Sequence, residues 1–160
     1  MNMSQIREMP KTDRGGDVPL VRQVSVFTEN RVGALAELLA VFDSTKVRIL
    51  ALTILPGIDC AIVRFVFNET DVAVKELDAH YRFTVCDLVA VELPPGGGDG
   101  LQLVARALLA AEIDIHYCYA LITSEKIHPS IVVHVDNPSL AALVLADARF
   151  HLLDEADFRK

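Results

Sequence analysis

Residues 21–49 read VRQVSVFTENRVGALAELLAVFDSTKVRI, and residues 87–115 read DLVAVELPPGGGDGLQLVARALLAAEIDI. Each stretch has a β-branched strand, a turn, an amphipathic helix and the start of a second strand. They superpose at an offset of 66: Leu35, Leu38, Leu39, Phe42, Val47 and Ile49 become Leu101, Val104, Ala105, Leu108, Ile113 and Ile115, all apolar. Conserving an apolar stripe along two helices means that one unit has been used twice.

Working outward completes each unit. After Val47–Leu55 come the turn Pro56-Gly57, a strand over Cys60–Phe67, a helix from Thr70 to about Ala79 and a strand over Arg82–Cys86. The second pass follows without a linker. It predicts a strand over Leu88–Leu93, a helix over Leu101–Ala111, strands over Asp114–Ile122 and Ser130–Asp136, a helix opened by Asn137-Pro138-Ser139, and a last strand over Phe150–Leu153. The order βαββαβ, twice, predicts an α+β chain of two ferredoxin-like modules, each an antiparallel sheet with both helices on one face. The modules are expected over residues 20–87 and 88–160, after a flexible leader over 1–19.

The strand after the first helix has a further property. In Ile49–Leu55, and again in Ile115–Leu121, both alternating sets are largely apolar. A sheet with one wet face alternates. This strand is therefore expected to meet the other module, another chain or a ligand on its second side. Self-association as a homodimer, through this strand or a helix edge, is the corresponding expectation.

Composition narrows the function. The chain is 52% hydrophobic and 23% charged, which fits a well-buried fold. Its net charge is −7 with 15 scattered basic residues, against a role in sequence-independent nucleic-acid binding. No apolar run reaches the roughly 20 residues of a membrane span. Cys60, Cys86 and Cys118 are odd in number, form no Cys-x-x-Cys and fall in strands. They read as buried free thiols in a reducing cytoplasm.

The first strand–helix turn, Glu29-Asn30-Arg31-Val32-Gly33-Ala34-Leu35, has a chemistry of its own. Gly33 permits a sharp bend and a close backbone approach. The helix behind it begins with free N–H groups and partial positive charge, a place for a carboxylate. Asn30 can bond an amine or a carboxylate, and Arg31 can pair with an anion. The second turn, Pro94–Leu101, places Asp99 at the Gly33 position and Leu101 at the Leu35 position, with Gly98 or Gly100 available for the glycine role through a local shift.

Two βαββαβ units with Asn30, Gly33 and Leu35 at the first turn resemble ACT domains, and in particular small proteins made of two ACT domains. Val32 stands where that family often has Pro. The resemblance implies a non-catalytic regulatory module that binds a small molecule, an amino acid in the first instance, with no cofactor. It places the ligand at the strand–helix turns and module interfaces: Asn30, Arg31, Val32, Gly33, Ala34 and Leu35 in one module, Gly98, Asp99, Gly100 and Leu101 in the other. The alternative is a protein-interaction scaffold whose ligand sites are vestigial.

Other constellations are weaker. His116 and Cys118 share a strand face, and a hairpin would set His134 opposite His116, giving a partial Zn²⁺ set. Against it stands a polar pair on a sheet, and no metal is assigned. Tyr117 and Tyr119 share the opposite face and read as core or interface aromatics. No Gly-x-Ser-x-Gly, phosphate loop or His-Glu-x-x-His occurs.

Overall fold

A computed structural model describes residues 18–95, 99–122 and 128–159. The elements are β1 (Val21–Glu29), α1 (Ala34–Ala40), β2 (Ile49–Pro56), β3 (Cys60–Phe67), α2 (Thr70–Asp78), β4 (Arg82–Glu92), α3 (Asp99–Ala110), β5 (Ile115–Ala120), β6 (Ser130–Val135), α4 (Pro138–Asp147) and β7 (Leu152–Leu153). All ladders are antiparallel, in the order β2-β3-β1-β4-β6-β5, with β7 beside β4. The α+β fold of two ferredoxin-like βαββαβ units is thus present.

The units share one strand. The first half of β4 pairs with β1, from Phe27↔Arg82 to Val21↔Leu88. Its second half pairs with β6 through Val89–Glu92, and with β7 through Ala90 and Val91. The sequence predicts two strands here, one ending at Cys86 and one starting at Leu88; the structure has a single strand. The reason is the unbroken period of two. Val89 and Val91 face the α3–α4 layer, and Phe83 the α1–α2 layer, while Cys86, Leu88 and Ala90 face the space between the half-sheets. No turn residue interrupts this alternation.

Three apolar clusters result. Val24, Val26, Val63, Phe65 and Phe67 pack under Leu38, Phe42, Ala73 and Leu77 of the first helix pair. Val89, Val91, Val133 and Val135 pack under Val104, Leu108, Ala141 and Leu145 of the second. Val18, which the sequence reading gives to the leader, is buried in this second cluster with Leu20. The third cluster joins the faces turned away from the helices: Val21, Ala51, Val66, Leu88, Ala90, Leu121, Val132, Leu153 and Phe158. The Ile122 N–H donates to the Leu50 carbonyl, so β2 meets the end of β5. The second apolar side of β2 is therefore covered within the chain at Leu50 and Ala51, while Ile54 and Leu55 at its far end are exposed.

Local boundaries follow ordinary chemistry. Asn137 caps α4 by accepting from the Leu140 N–H at 3.1 Å, with Pro138 next. α1 is shorter than the predicted Ala34–Ser44. Past Ala40 the chain tightens into bonds to the third residue back, Phe42 N–H to Leu39 and Asp43 N–H to Ala40, a common helix ending. The thiols need correction: all three are free, but Cys60 and Cys118 are exposed and only Cys86 is half-buried. Cys60 opens β3, and Cys118 lies on the edge strand β5.

Candidate functional site: the first strand–helix turn

β1 ends at Glu29 and α1 starts at Ala34, so four residues must reverse the chain. Gly33 makes this possible with φ +88° and ψ −18°, a left-handed conformation. A Cβ built there would meet Glu37 Oε1 at 3.8 Å and an Arg31 nitrogen at 3.9 Å, ordinary contacts. Backbone handedness, not crowding, calls for glycine.

The other turn residues divide by role. Asn30 donates from Nδ2 to the Gly57 carbonyl at 2.6 Å, and its N–H donates to the Asp59 carbonyl at 3.3 Å. Its side chain therefore fastens the turn to the β2–β3 connection. Arg31 is gripped on both sides: Nε donates to Glu29 at 2.5 Å, and two other nitrogens donate to Glu37 at 2.6 and 2.9 Å. The Glu37 grip is bidentate, the strongest geometry for this pair. Hydrogen bonding to Arg31 holds the Glu37 carboxyl below its usual range, and the two carboxylates push the guanidinium further up. Val32 is 99% exposed, Ala34 is buried, and Leu35 packs half-buried on the first helix cluster.

Beside this turn lies an open depression of about 770 Å³. Glu29, Arg31, Glu37, Asp59, Cys60, His80 and Tyr81 line it, with Phe27, Ala40 and Val41 among its apolar residues. It offers a guanidinium and three carboxylates beside apolar side chains, which suits a small molecule bearing both charges. Glu37, Asp59 and the pair His80-Tyr81 come from three separate segments, and the sequence gives no spacing by which to collect them.

The second turn is built differently. Gly98 lies outside the described residues. Asp99 is the first residue of α3, and Leu101 is 48% exposed. Gly100 is buried, and a Cβ there would stand 3.1 Å from Pro94 Cδ and 3.2 Å from Leu93 Cβ. Its role is close approach of helix to strand end, at ordinary φ. It corresponds at the same offset to buried Ala34. Where the first turn has Glu37, the second has Leu103, 44% exposed, so the Arg31–Glu37 grip has no equivalent.

The junction of the half-sheets holds a polar knot. Gln23, fully buried in β1, donates to the Tyr117 hydroxyl at 2.8 Å and accepts from the Tyr119 hydroxyl at 2.7 Å. It also reaches Ser25 Oγ at 3.2 Å and Cys86 Sγ at 3.4 Å. The Arg64 guanidinium sits 4.0 Å over the Tyr117 ring. Burial raises the Tyr119 and Cys86 pKa values, keeping both neutral. The paired tyrosines are thus interface aromatics between the two modules. The structure brings His116 and His134 together and leaves Cys118 opposite Val133, outside the pair.

A family model described as an ACT domain pair matches residues 20–160. Among solved structures, protein BT0572 from Bacteroides thetaiotaomicron is similar with a TM-score of 0.78 and 27% identity, over 88% of this chain and 96% of that one. The ligand-free regulatory subunit of aspartate kinase from Thermus thermophilus shares the fold at a TM-score of 0.56 and 12% identity, over 82% of this chain and 93% of that one. The corresponding subunit from Thermus flavus does so at 0.52 and 14%, over 83% and 94%. No curated protein sequence matches the chain.

Proposed function

Because the chain belongs to the ACT domain pair family, we propose that it is a non-catalytic regulatory protein that binds an amino acid or a close relative beside Gly33. The observation that carries this reading is the meeting of a left-handed glycine turn with a depression bearing both signs of charge. The ligand's ammonium group pairs with Glu29 or Asp59. Its carboxylate takes Arg31, which must exchange part of its grip on Glu37, together with the backbone N–H groups of Val32, Gly33 and Leu35; the Ala34 N–H already donates to the Arg31 carbonyl. Asn30 acts by holding the turn rather than by touching the ligand. The first turn binds and the second, without an ionic grip, binds weakly or not at all. Neighbours named as regulatory subunits support a regulatory role by analogy of fold.

Binding that tightens the β1–α1 turn against the β2–β3 connection biases one arrangement of the chain, and a partner that recognises it completes the regulation. Three free thiols fit a reducing compartment such as the cytoplasm, and no described helix is long and apolar enough to cross a membrane.

A thermal-shift screen of the full chain against the twenty amino acids tests the reading. A ligand at ~100 times its dissociation constant adds ~2.7 kcal/mol. The shift should vanish in a folded Gly33→Val variant. No shift from any amino acid removes this ligand class, and a shift that survives Gly33→Val removes this turn.

One observation favours a scaffold as the second reading. α4 is apolar on every side from Leu140 to Ala146, with Leu140 42% and Leu143 45% exposed, as in helices that are covered in an assembly. A stable homodimer without any amino-acid response would support it.

A further inference from the structure

The β5–β6 ladder carries a bulge. Ile115 pairs with Val135, yet Tyr117 pairs with His134, so His116 is the extra residue between them. Bulges of this kind re-aim a side chain. Here the result is that His116 Nδ1 lies 3.0 Å from His134 Nδ1, with ring centroids 5.0 Å apart. The His134 ring stacks on Tyr117 at 4.7 Å and 5°, and Tyr117 is itself covered by Arg64 and bonded to Gln23. One imidazole is thus held by packing while the other stands on an edge strand, its side chain 42% exposed.

The geometry points to a two-histidine chelate for a divalent transition-metal ion, with His116 Nδ1 and His134 Nδ1 as the protein ligands. With metal–nitrogen bonds of about 2.0–2.1 Å, nitrogens 3.0 Å apart subtend roughly 91–97° at the ion. That is near the cis angle of square-planar or octahedral coordination, which Ni²⁺ and Cu²⁺ favour. Both nitrogens must be unprotonated. In the neutral pair one ring holds its proton on Nδ1 and donates it to the other, which already carries its own on Nε2; binding the ion takes the first ring to its Nε2–H tautomer. Asp114 Oδ2 lies 3.7 Å from His116 Nε2, outside hydrogen-bond distance, and would have to close by several tenths of an ångström to orient the ring as a carboxylate partner does. Among the described residues no third His, Cys, Asp or Glu closes on the pair, so water completes the coordination.

Calorimetric titration of the untagged full chain with NiCl₂ at about pH 7.5, where free imidazole is neutral, tests this site. One Ni²⁺ per chain is expected. His116→Gln and His134→Gln should each weaken binding by at least tenfold, about 1.4 kcal/mol, and Asp114→Asn by less. Exposed thiols also bind such ions, so a Cys60→Ser/Cys118→Ser protein is titrated in parallel and should bind as the wild type does. Circular dichroism establishes folding of each variant. The outward position of His116 makes its variant decisive if His134→Gln unfolds. No saturable heat up to millimolar NiCl₂, affinity within twofold in His116→Gln, or loss of binding in the thiol variant would each overturn the proposal.

Discussion

Gln23 and Tyr119 lie 96 residues apart in sequence and are joined by a 2.7 Å hydrogen bond from the tyrosine hydroxyl to the amide oxygen. The bond crosses from β1 of the first unit to β5 of the second. Around it the two half-sheets meet through an otherwise apolar cluster. A buried amide with every polar atom satisfied fixes how the faces register, because any slip strands a donor or acceptor.

Gln23→Leu should therefore destabilise the chain by about 1–3 kcal/mol, the effect of leaving two tyrosine hydroxyls without their buried partner. Adding Tyr117→Phe and Tyr119→Phe should recover part of that loss, since the stranded groups are then gone. Urea denaturation of the single and triple variants measures both. A triple variant less stable than Gln23→Leu would mean that the hydroxyls act through other partners.

The two glycines at the strand–helix turns should respond in opposite ways. Gly33 is left-handed with open space beside it, so Ala suffers roughly 1–2 kcal/mol of handedness strain. Asn, which visits this conformation more readily, should be milder. Gly100 has ordinary φ but little room, so size decides: Val should destabilise by about 1–3 kcal/mol through overpacking against Leu93 and Pro94, with Ala milder than Asn. The two rank orders, read from denaturation midpoints, are the test. Identical ranking at the two positions would contradict the distinction.

Acid should weaken one clamp in a defined window. Arg22 bonds Glu155 at 2.6 Å and Asp71 at 2.7 Å, tying β1 to the C-terminal turn and to α2. The hydrogen bond from Arg22 holds the Asp71 carboxyl below its ordinary range. Near its unfolded value of about 3.9, the unfolded chain binds the proton more readily than the folded one. The contribution is therefore present above about pH 5 and disappears as pH falls through 4 to the depressed folded value. Asp71 is 62% exposed, so the effect is small, within about 1 kcal/mol. The stability difference between wild type and Asp71→Asn should be positive at neutral pH and shrink toward zero near pH 3, by urea denaturation at each pH. A constant difference would exclude the charge as its source.

Much of this architecture was legible because helix and strand periods survive in the repeat. Leu38 and Phe42 are buried against the first half-sheet, and Val104 and Leu108, 66 residues on, against the second. The doubly apolar strand was legible too, and its second side meets the other half-sheet. The merger of two strands into β4 was hidden, since alternation alone carries no mark of where one module ends. The depression beside Gly33 was only half legible. A turn announces itself by Gly and Asn, but Asp59, His80 and Tyr81 reach it through sheet topology. Asn30 was legible as a special residue and not as a clamp, because its partner is the Gly57 carbonyl, which no side-chain pattern reveals. The His116–His134 pairing was visible in strand spacing. The bulge that separates Cys118 from it was not.

Assembly gives the last test. With the start of β2 covered inside the chain at Leu50 and Ala51 and only its far end exposed, the case for a homodimer moves to α4. That helix has no charge before Asp147, and Leu140 and Leu143 stand nearly half exposed while Ala141, Ala142 and Leu145 pack inward. A helix packed on one side only would carry polar residues on the other, and apolar area left open on a chain of this size marks a contact surface. The expected solution mass is therefore about twice 17.6 kDa at micromolar concentration. Leu143→Glu should return the mass to that of one chain, because burying an unpaired carboxylate at the contact is strongly unfavourable. It should leave the fold intact, since the same carboxylate is hydrated in the monomer. Leu55→Glu, on the exposed end of β2, is the matched control and should leave the dimer unchanged. Light scattering on the three proteins decides. A wild-type mass near 17.6 kDa, or a dimer that persists in Leu143→Glu and dissociates in Leu55→Glu, would place the contact on β2 or remove it.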